Sequence, residues 1–216
     1  AAQHSQNRAL ELSLLLTLPA AAALAVIAEP VIRVLFERGQ FGPVETSATA
    51  AALAVYAFGM PAYVMVKALA PGFFAREDTA TPVKIAVFCL AVNLVLNLLL
   101  MGPFLHVGIA MATVVSSWLN VAIMAYVLHQ RGHLIIDARL RGRLPRMVLA
   151  SVGMGLALFW AQGPLTAALA GTTPERVLGL TVLVVGGIAV FGGLAVTLGA
   201  ARLGDLKSLY RGGATP

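Results

Sequence analysis

Glu29, Arg33 and Glu37 stand four residues apart, so on a helix their charges stack on one face as an ion-pair ladder. An exposed pair of this kind contributes about 0.2–0.5 kcal/mol, and more where water is excluded. Lys67 is a further charge set deep among apolar neighbours. Glu29, Arg33 and Lys67 could rim a cavity and meet an anionic ligand or gate its entrance. The plainer alternative pairs Glu29 with Arg33 at an interface and lets Lys67 extend along apolar surface to water. Asn93 and Asn97 lie one turn apart, and Thr113, Ser116, Ser117 and Asn120 fall on one helical face. Together they offer either a hydrated lane for a polar ligand or interhelical hydrogen bonds of about 0.6 kcal/mol each.

Other chemistry finds little support. His129 and His133 have the four-residue spacing of helical metal ligands, but Gly132 interrupts them, arginines surround them and no carboxylate joins them. They read as a solvated pair, with no metal and no cofactor. No Ser-His-Asp grouping, phosphate-binding glycine loop or paired intramembrane carboxylate is present, so the chain does not read as an enzyme. The single Cys89 precludes an internal disulfide and behaves as a small hydrophobe.

The elements that position these residues follow from composition. The chain has 216 residues, 59% apolar and 11% charged, with mean hydropathy +0.88. Soluble domains carry roughly 25% charged residues, so this one cannot cover a water-exposed surface. An all-α integral membrane protein is expected. Runs free of Asp, Glu, Lys and Arg cover Leu12–Ala28, Thr46–Val66, Ile85–Gln130, Met147–Pro174 and Val177–Ala201. A crossing takes about 20 residues, and the third run is long enough for two, with a break at Gly102-Pro103 and again at Gly108. Six transmembrane helices result. Residues 1–128 hold four of them (about 12–35, 47–70, 83–102 and 107–128), followed by a basic loop at 129–146. Two more (about 147–169 and 178–200) precede a tail at 201–216. Pro19 and Pro61 are expected to kink their helices.

Arg131, Arg139, Arg141, Arg143 and Arg146 crowd the fourth connection, and Arg202, Lys207 and Arg211 the tail. The positive-inside rule makes both cytoplasmic and, with six crossings, the N-terminus as well. The net charge of +6 comes from juxtamembrane bases without interleaved aromatics, which suits anionic lipid headgroups and not nucleic acid. No basic n-region or cleavage site marks a signal peptide, and a start at Ala1-Ala2 fits a piece of a longer chain.

Two connections are distinctive. RVLFERGQF (Arg33–Phe41) turns back at Gly39 and Gly42, with Pro43 in the first turn of the next helix and Glu45 near its positive end. KALAPGFFAREDTATPVK (Lys67–Lys84) ends the second span at Pro71-Gly72. It then places Phe73 and Phe74 at the headgroup boundary and starts the third span with Thr81 as cap and Pro82 behind it. These segments, with NRALELSLLLTLPAAAAL entering the first span, closely resemble the MurJ/MviN family of lipid II flippases in the MOP exporter superfamily.

The resemblance implies two six-helix lobes rocking about a central cavity, followed by two extra helices. This chain then corresponds to the last four helices of the second lobe plus the extra pair, and its partner is the first lobe of the same protein. The implied activity carries an undecaprenyl-diphosphate-linked peptidoglycan precursor across the bacterial inner membrane by alternating access. The family's charged residues for the pyrophosphate lie outside this chain, so Glu29, Arg33, Lys67, Asn93, Asn97, Ser116 and Asn120 stand as candidate cavity or gate residues, toward diphosphate, sugar or peptide, on their own spacing and position. The small residues Gly153 and Ala157, with Gly179, Gly186 and Gly193 spaced seven apart, become a helix-packing stripe or a smooth groove for a prenyl tail. Another exporter of the superfamily, or a non-transporting membrane scaffold, are the competing functions.

Overall fold

The computed structural model describes residues 2–200, with side chains from Gln6 onward. Five helices account for almost all of them: α1 (Ala2–Phe36), α2 (Pro43–Phe74), α3 (Ala80–Gln130), α4 (Ala138–Ala170) and α5 (Thr173–Thr197). Each is long and apolar enough to cross a membrane. The expected all-α membrane class stands, but six separate helices become five, because the third and fourth spans share one helix.

That shared helix is a hairpin. At 1.5 Å per residue a straight 51-residue helix would extend about 76 Å, more than twice a bilayer core. Leu105 breaks it with φ +51° and ψ −130°. Beyond the break, Gly108 lies so close to the Leu100 carbonyl that any side chain there would collide. Asn93 reaches Ser116 at 3.2 Å, although a straight helix would hold them about 35 Å apart. The reversal therefore falls between the two expected breakpoints, Gly102-Pro103 and Gly108.

α1 is the hub, touching α2, α4 and α5, while α3 packs on α2. Small residues let the helices approach: Gly72 meets Gln6 and Leu128, Gly59 meets Val114, and Gly155 meets Ala22 and Val26. These contacts set α2 parallel to the returning leg of α3, and α1 parallel to α4. One end of the bundle gathers Asn7, Gly72, Asp78, Arg131 and Arg143. Glu37, Ala48, His106 and Arg176 gather at the other. Arg8, Arg76 and the 131–146 arginines thus share one end, with Arg33, Arg38 and Arg176 opposite.

Several local expectations change. The segment 129–146 is a loop only to Asp137, whose carboxylate caps α4 by accepting from Leu140 N at 2.7 Å. α2 continues through Pro71-Gly72 for a further half-turn, which buries Phe73 in the core while Phe74 stays exposed. Asp78, not Thr81, caps α3: its Oδ1 accepts from Thr81 N at 3.0 Å. Pro43 and Glu45 take their expected places, and Glu45 accepts from Gly42 N at 2.9 Å. The backbone stays helical at Pro19 and Pro61, and α1 instead distorts at Ile27, just before Pro30. Pro30 has no N–H for the Val26 carbonyl, and Gln162 of α4 donates to it at 3.4 Å.

Candidate functional site

An apolar groove of about 420 Å³ runs between α1 and α5, with α4 at its floor. Leu15, Pro19 and Leu24 of α1 face Val184, Ile188 and Phe191 of α5, and Met154 and Leu158 lie between. Its lining is almost wholly hydrocarbon, so it can take a chain of methylenes or methyl branches and no polar head. Of the predicted small residues, Gly179 abuts Leu169 and Gly153 abuts Leu194. Gly186 and Gly193 have nothing within 4 Å of an added Cβ and do not pack the pair together. Gly187 does so, with Leu158 at 3.3 Å. Ala157 and Gly186 instead line a second apolar recess of about 170 Å³ on the other side of α5.

The polar lane is present between the legs of α3. Asn97 donates to Asn93 at 3.0 Å, and Asn93 to Ser116 at 3.2 Å. Ser116 and Ser117 donate to the Thr113 carbonyl. A shallow pocket of about 230 Å³ opens beside Asn93, Thr113, Ser116, Ser117 and Asn120. The Oδ1 atoms of Asn97 and Asn120 are buried and accept no hydrogen bond, so two acceptors remain for water or a polar ligand. The lane therefore joins the two legs of α3 by hydrogen bonds and leaves two acceptors unpartnered.

The charged ladder also forms. Arg33 pairs with Glu29 at 2.5 Å and with Glu37 at 3.4 Å. Arg176 of α5 then reaches Glu37 at 3.1 Å and ties the last helix to α1. Lys67 stands apart from this cluster, exposed on α2 about a turn and a half from the basic end, with no ion-pair partner among the described residues.

A helical membrane bundle with an apolar groove among α1, α4 and α5 and a polar lane within α3 invites comparison with known transporters. The family model described as "Lipid II flippase MurJ" matches residues 1–178. This chain belongs to the MurJ family. It is 42% identical to a probable lipid II flippase MurJ of Rhizobium meliloti (strain 1021), over 99% of this chain and 40% of the relative. The corresponding protein of Rhizobium tropici is 37% identical over 95% of this chain and 39% of its own length. The chain therefore spans about two fifths of these relatives. A solved structure of lipid II flippase MurJ in an inward closed conformation superposes with a TM-score of 0.74 at 19% identity, over 90% of this chain and 38% of that one. That likeness establishes the fold.

Within this MurJ-family bundle, sequence reasoning passed over the most buried charge cluster. Glu11 of α1 is sealed from solvent and pairs with Arg143 of α4, with Arg8 at 2.6 Å and with Arg139 at 3.4 Å. Asn7, one turn earlier, donates to the Ile135 carbonyl at 2.8 Å and pins the α3–α4 loop to α1. The available signal was an acid in the opening turns of the first span, facing a connection rich in arginine. Nothing local paired them.

A second lock joins the two loops at the same end. Arg131 pairs with Asp78 at 2.6 Å and sits 6.0 Å from the Phe73 ring centre. Hydrogen bonds from Thr81 and Arg131 hold the Asp78 carboxyl well below the usual carboxylate range. Burial, with Arg76 and Arg131 nearby, pushes the His133 imidazole down. The His129 ring contacts the Leu134 carbonyl at 3.1 Å.

Proposed function

We propose that this chain forms the second-lobe and C-terminal part of a lipid II flippase that moves an undecaprenyl-diphosphate-linked peptidoglycan precursor from the inner to the outer leaflet. The observation that carries the reading is the MurJ family match, laid over a bundle that pairs a hydrocarbon groove with a polar lane. The groove would hold the prenyl tail, while Asn93, Asn97, Ser116 and Asn120 would line the path of sugar or peptide groups. Glu29 and Arg33 would sit at the outer mouth, and Lys67 would face the diphosphate from the inner rim. The other partner is the first lobe that the longer relatives carry. A water-lined path lowers the cost of drawing a polar head through hydrocarbon, and no bond need be made or broken.

The arginine-rich end would face the cytoplasm, placing the protein in the bacterial inner membrane with the N-terminus of this chain inside. The test is depletion of the protein from cells, followed by assay of how much precursor an externally added hydrolase can cleave. Trapping of precursor on the inner leaflet is the expected result. A normal leaflet distribution would favour a scaffold, and trapping of another lipid-linked oligosaccharide would favour a different exporter of the superfamily.

A further inference from the structure

The connections at the end of the bundle opposite the 131–146 arginines differ in charge. The α1–α2 turn carries Glu37, Arg38 and Gln40, and the α4–α5 turn leads into Glu175 and Arg176. The reversal of α3 carries no charge at all, since no Asp, Glu, Lys or Arg stands between Lys84 and Arg131. Met101, Phe104 and Leu105 are exposed there, by 49%, 49% and 65%. Contacts with α2 fix the depth of this turn. His106 bonds the Ala48 carbonyl at 2.9 Å and Gly59 meets Val114, so α2 and the returning leg run in register. α2 begins earlier, at Pro43, so the returning leg starts about 7 Å nearer the bilayer centre than α2 does. The rising leg agrees: a helix from Lys84 to Leu105 extends about 31 Å, close to the roughly 30 Å of a hydrocarbon core. With Lys84 at one surface of the core, the reversal reaches the other surface and does not pass it.

We infer that the α3 reversal is a lipid-contacting wedge, with Met101, Phe104 and Leu105 seated among acyl chains at the headgroup boundary. In water these side chains would form an exposed apolar patch, in contrast with the charged turns beside them. A polar partner would find little to recognise, because His106 is the one hydrogen-bonding side chain of 101–106 and is already bound to Ala48. The backbone limits how deep the wedge can sit. Where Leu105 leaves the helical conformation, peptide groups lose their helical partners and need water, which the boundary supplies and the hydrocarbon interior does not. The wedge requires neither transport nor an assignment of inside and outside, so its test is independent of the flippase reading.

The experiment is site-directed spin labelling of the protein expressed from its whole reading frame, with Cys89→Ala and any other cysteine removed, in phosphatidylcholine nanodiscs. Phe104→Cys carries the label on the wedge, and Gln40→Cys carries it on the α1–α2 turn, where the side chain is exposed beside charges. Oxygen, which concentrates in hydrocarbon, should relax the label at position 104 more than a water-soluble nickel chelate does. At position 40 the order should reverse. A label at 104 that prefers the nickel chelate would put the turn in water. A label at 104 reached by neither reagent would be covered by protein, from elsewhere in the longer chain or from a partner. Either result overturns the wedge. Phe104 is half exposed, so the cysteine removes little packing, and Met101→Cys should show the same preference for oxygen. Met101→Cys decides the question if Phe104→Cys fails to fold.

Discussion

Glu11 on α1 and Arg143 on α4 are 132 residues apart in sequence and form a buried ion pair at the arginine-rich end of the bundle. At the other end, Glu37, just past α1, and Arg176 of α5 make the matching link. The first helix is therefore clasped to the C-terminal pair at both ends. Between the clasps the contact is apolar, through residues such as Ile27, Met154 and Leu158.

Removing Glu11 tests the stronger clasp. Glu11→Ala removes the buried carboxylate shared by Arg143, Arg8 and Arg139, which should cost about 3–5 kcal/mol. Replacing Glu11 and Arg143 together by leucine should recover part of that loss, because the buried arginine goes with the carboxylate while Arg8 and Arg139 stay partly exposed. Thermal unfolding in detergent checks both outcomes. Arg176→Gln, at a half-exposed pair, should cost about 1 kcal/mol or less.

The adjacent glycines 186 and 187 make a sharp contrast. Gly187→Val places methyls against Leu158, already 3.3 Å from an added Cβ, and should cost about 1–3 kcal/mol. Gly186→Val meets open space and should be close to neutral. The pair of melting curves distinguishes the packed face of α5 from the lipid-facing one.

That contrast shows where sequence reading stopped. Seven-residue spacing selected Gly186 and Gly193, but each belongs to a glycine pair, and spacing cannot choose between helix faces 100° apart. The Glu29-Arg33-Glu37 ladder was legible because its partners are local, at four-residue steps on one helix. Arg176 and Glu11 were not, because their partners arrive through tertiary packing. The five apolar runs were legible from hydropathy alone, as was a reversal inside the third. That the third run stays one element turning at Leu105 was not, because the turn rests on a single unusual backbone conformation.

Under the proposed function, Lys67→Gln should lower the rate of precursor translocation by the longer protein about fivefold while leaving the melting temperature unchanged. The side chain is exposed and unpaired among the described residues, and one cation near a membrane surface changes anion affinity by that factor. Lys67→Arg should retain most of the rate. Equal loss in both variants would assign Lys67 a role other than supplying charge to the diphosphate.

Acid should loosen the basic end in two stages. The folded protein binds a proton at His133 less readily than the unfolded chain, whose imidazole titrates near 6.5. Stability from this residue is therefore complete above that pH and declines as pH falls through the folded value. Asp78 has the same sign in a lower window: its contribution is present above 3.8 and is lost as pH falls towards its depressed folded value. Melting temperature measured against pH should fall below neutrality in the unaltered protein. His133→Asn should flatten the first stage alone, and Asp78→Asn the second.

Leu105 supplies the last prediction. A leucine at φ +51° and ψ −130° occupies a region that a Cβ disfavours, at a cost on the order of 1–3 kcal/mol. Its side chain is 65% exposed, so little packing is lost when it is removed. Leu105→Gly should therefore raise stability by about 1 kcal/mol, the strain relieved less the glycine's greater entropy in the unfolded chain. Gly108→Ala should do the opposite, because the added methyl meets the Leu100 carbonyl at the reversal. If Leu105→Gly lowered the melting temperature and Gly108→Ala left it unchanged, the hairpin would have to turn elsewhere, and the Asn93–Ser116 hydrogen bond could not form as described.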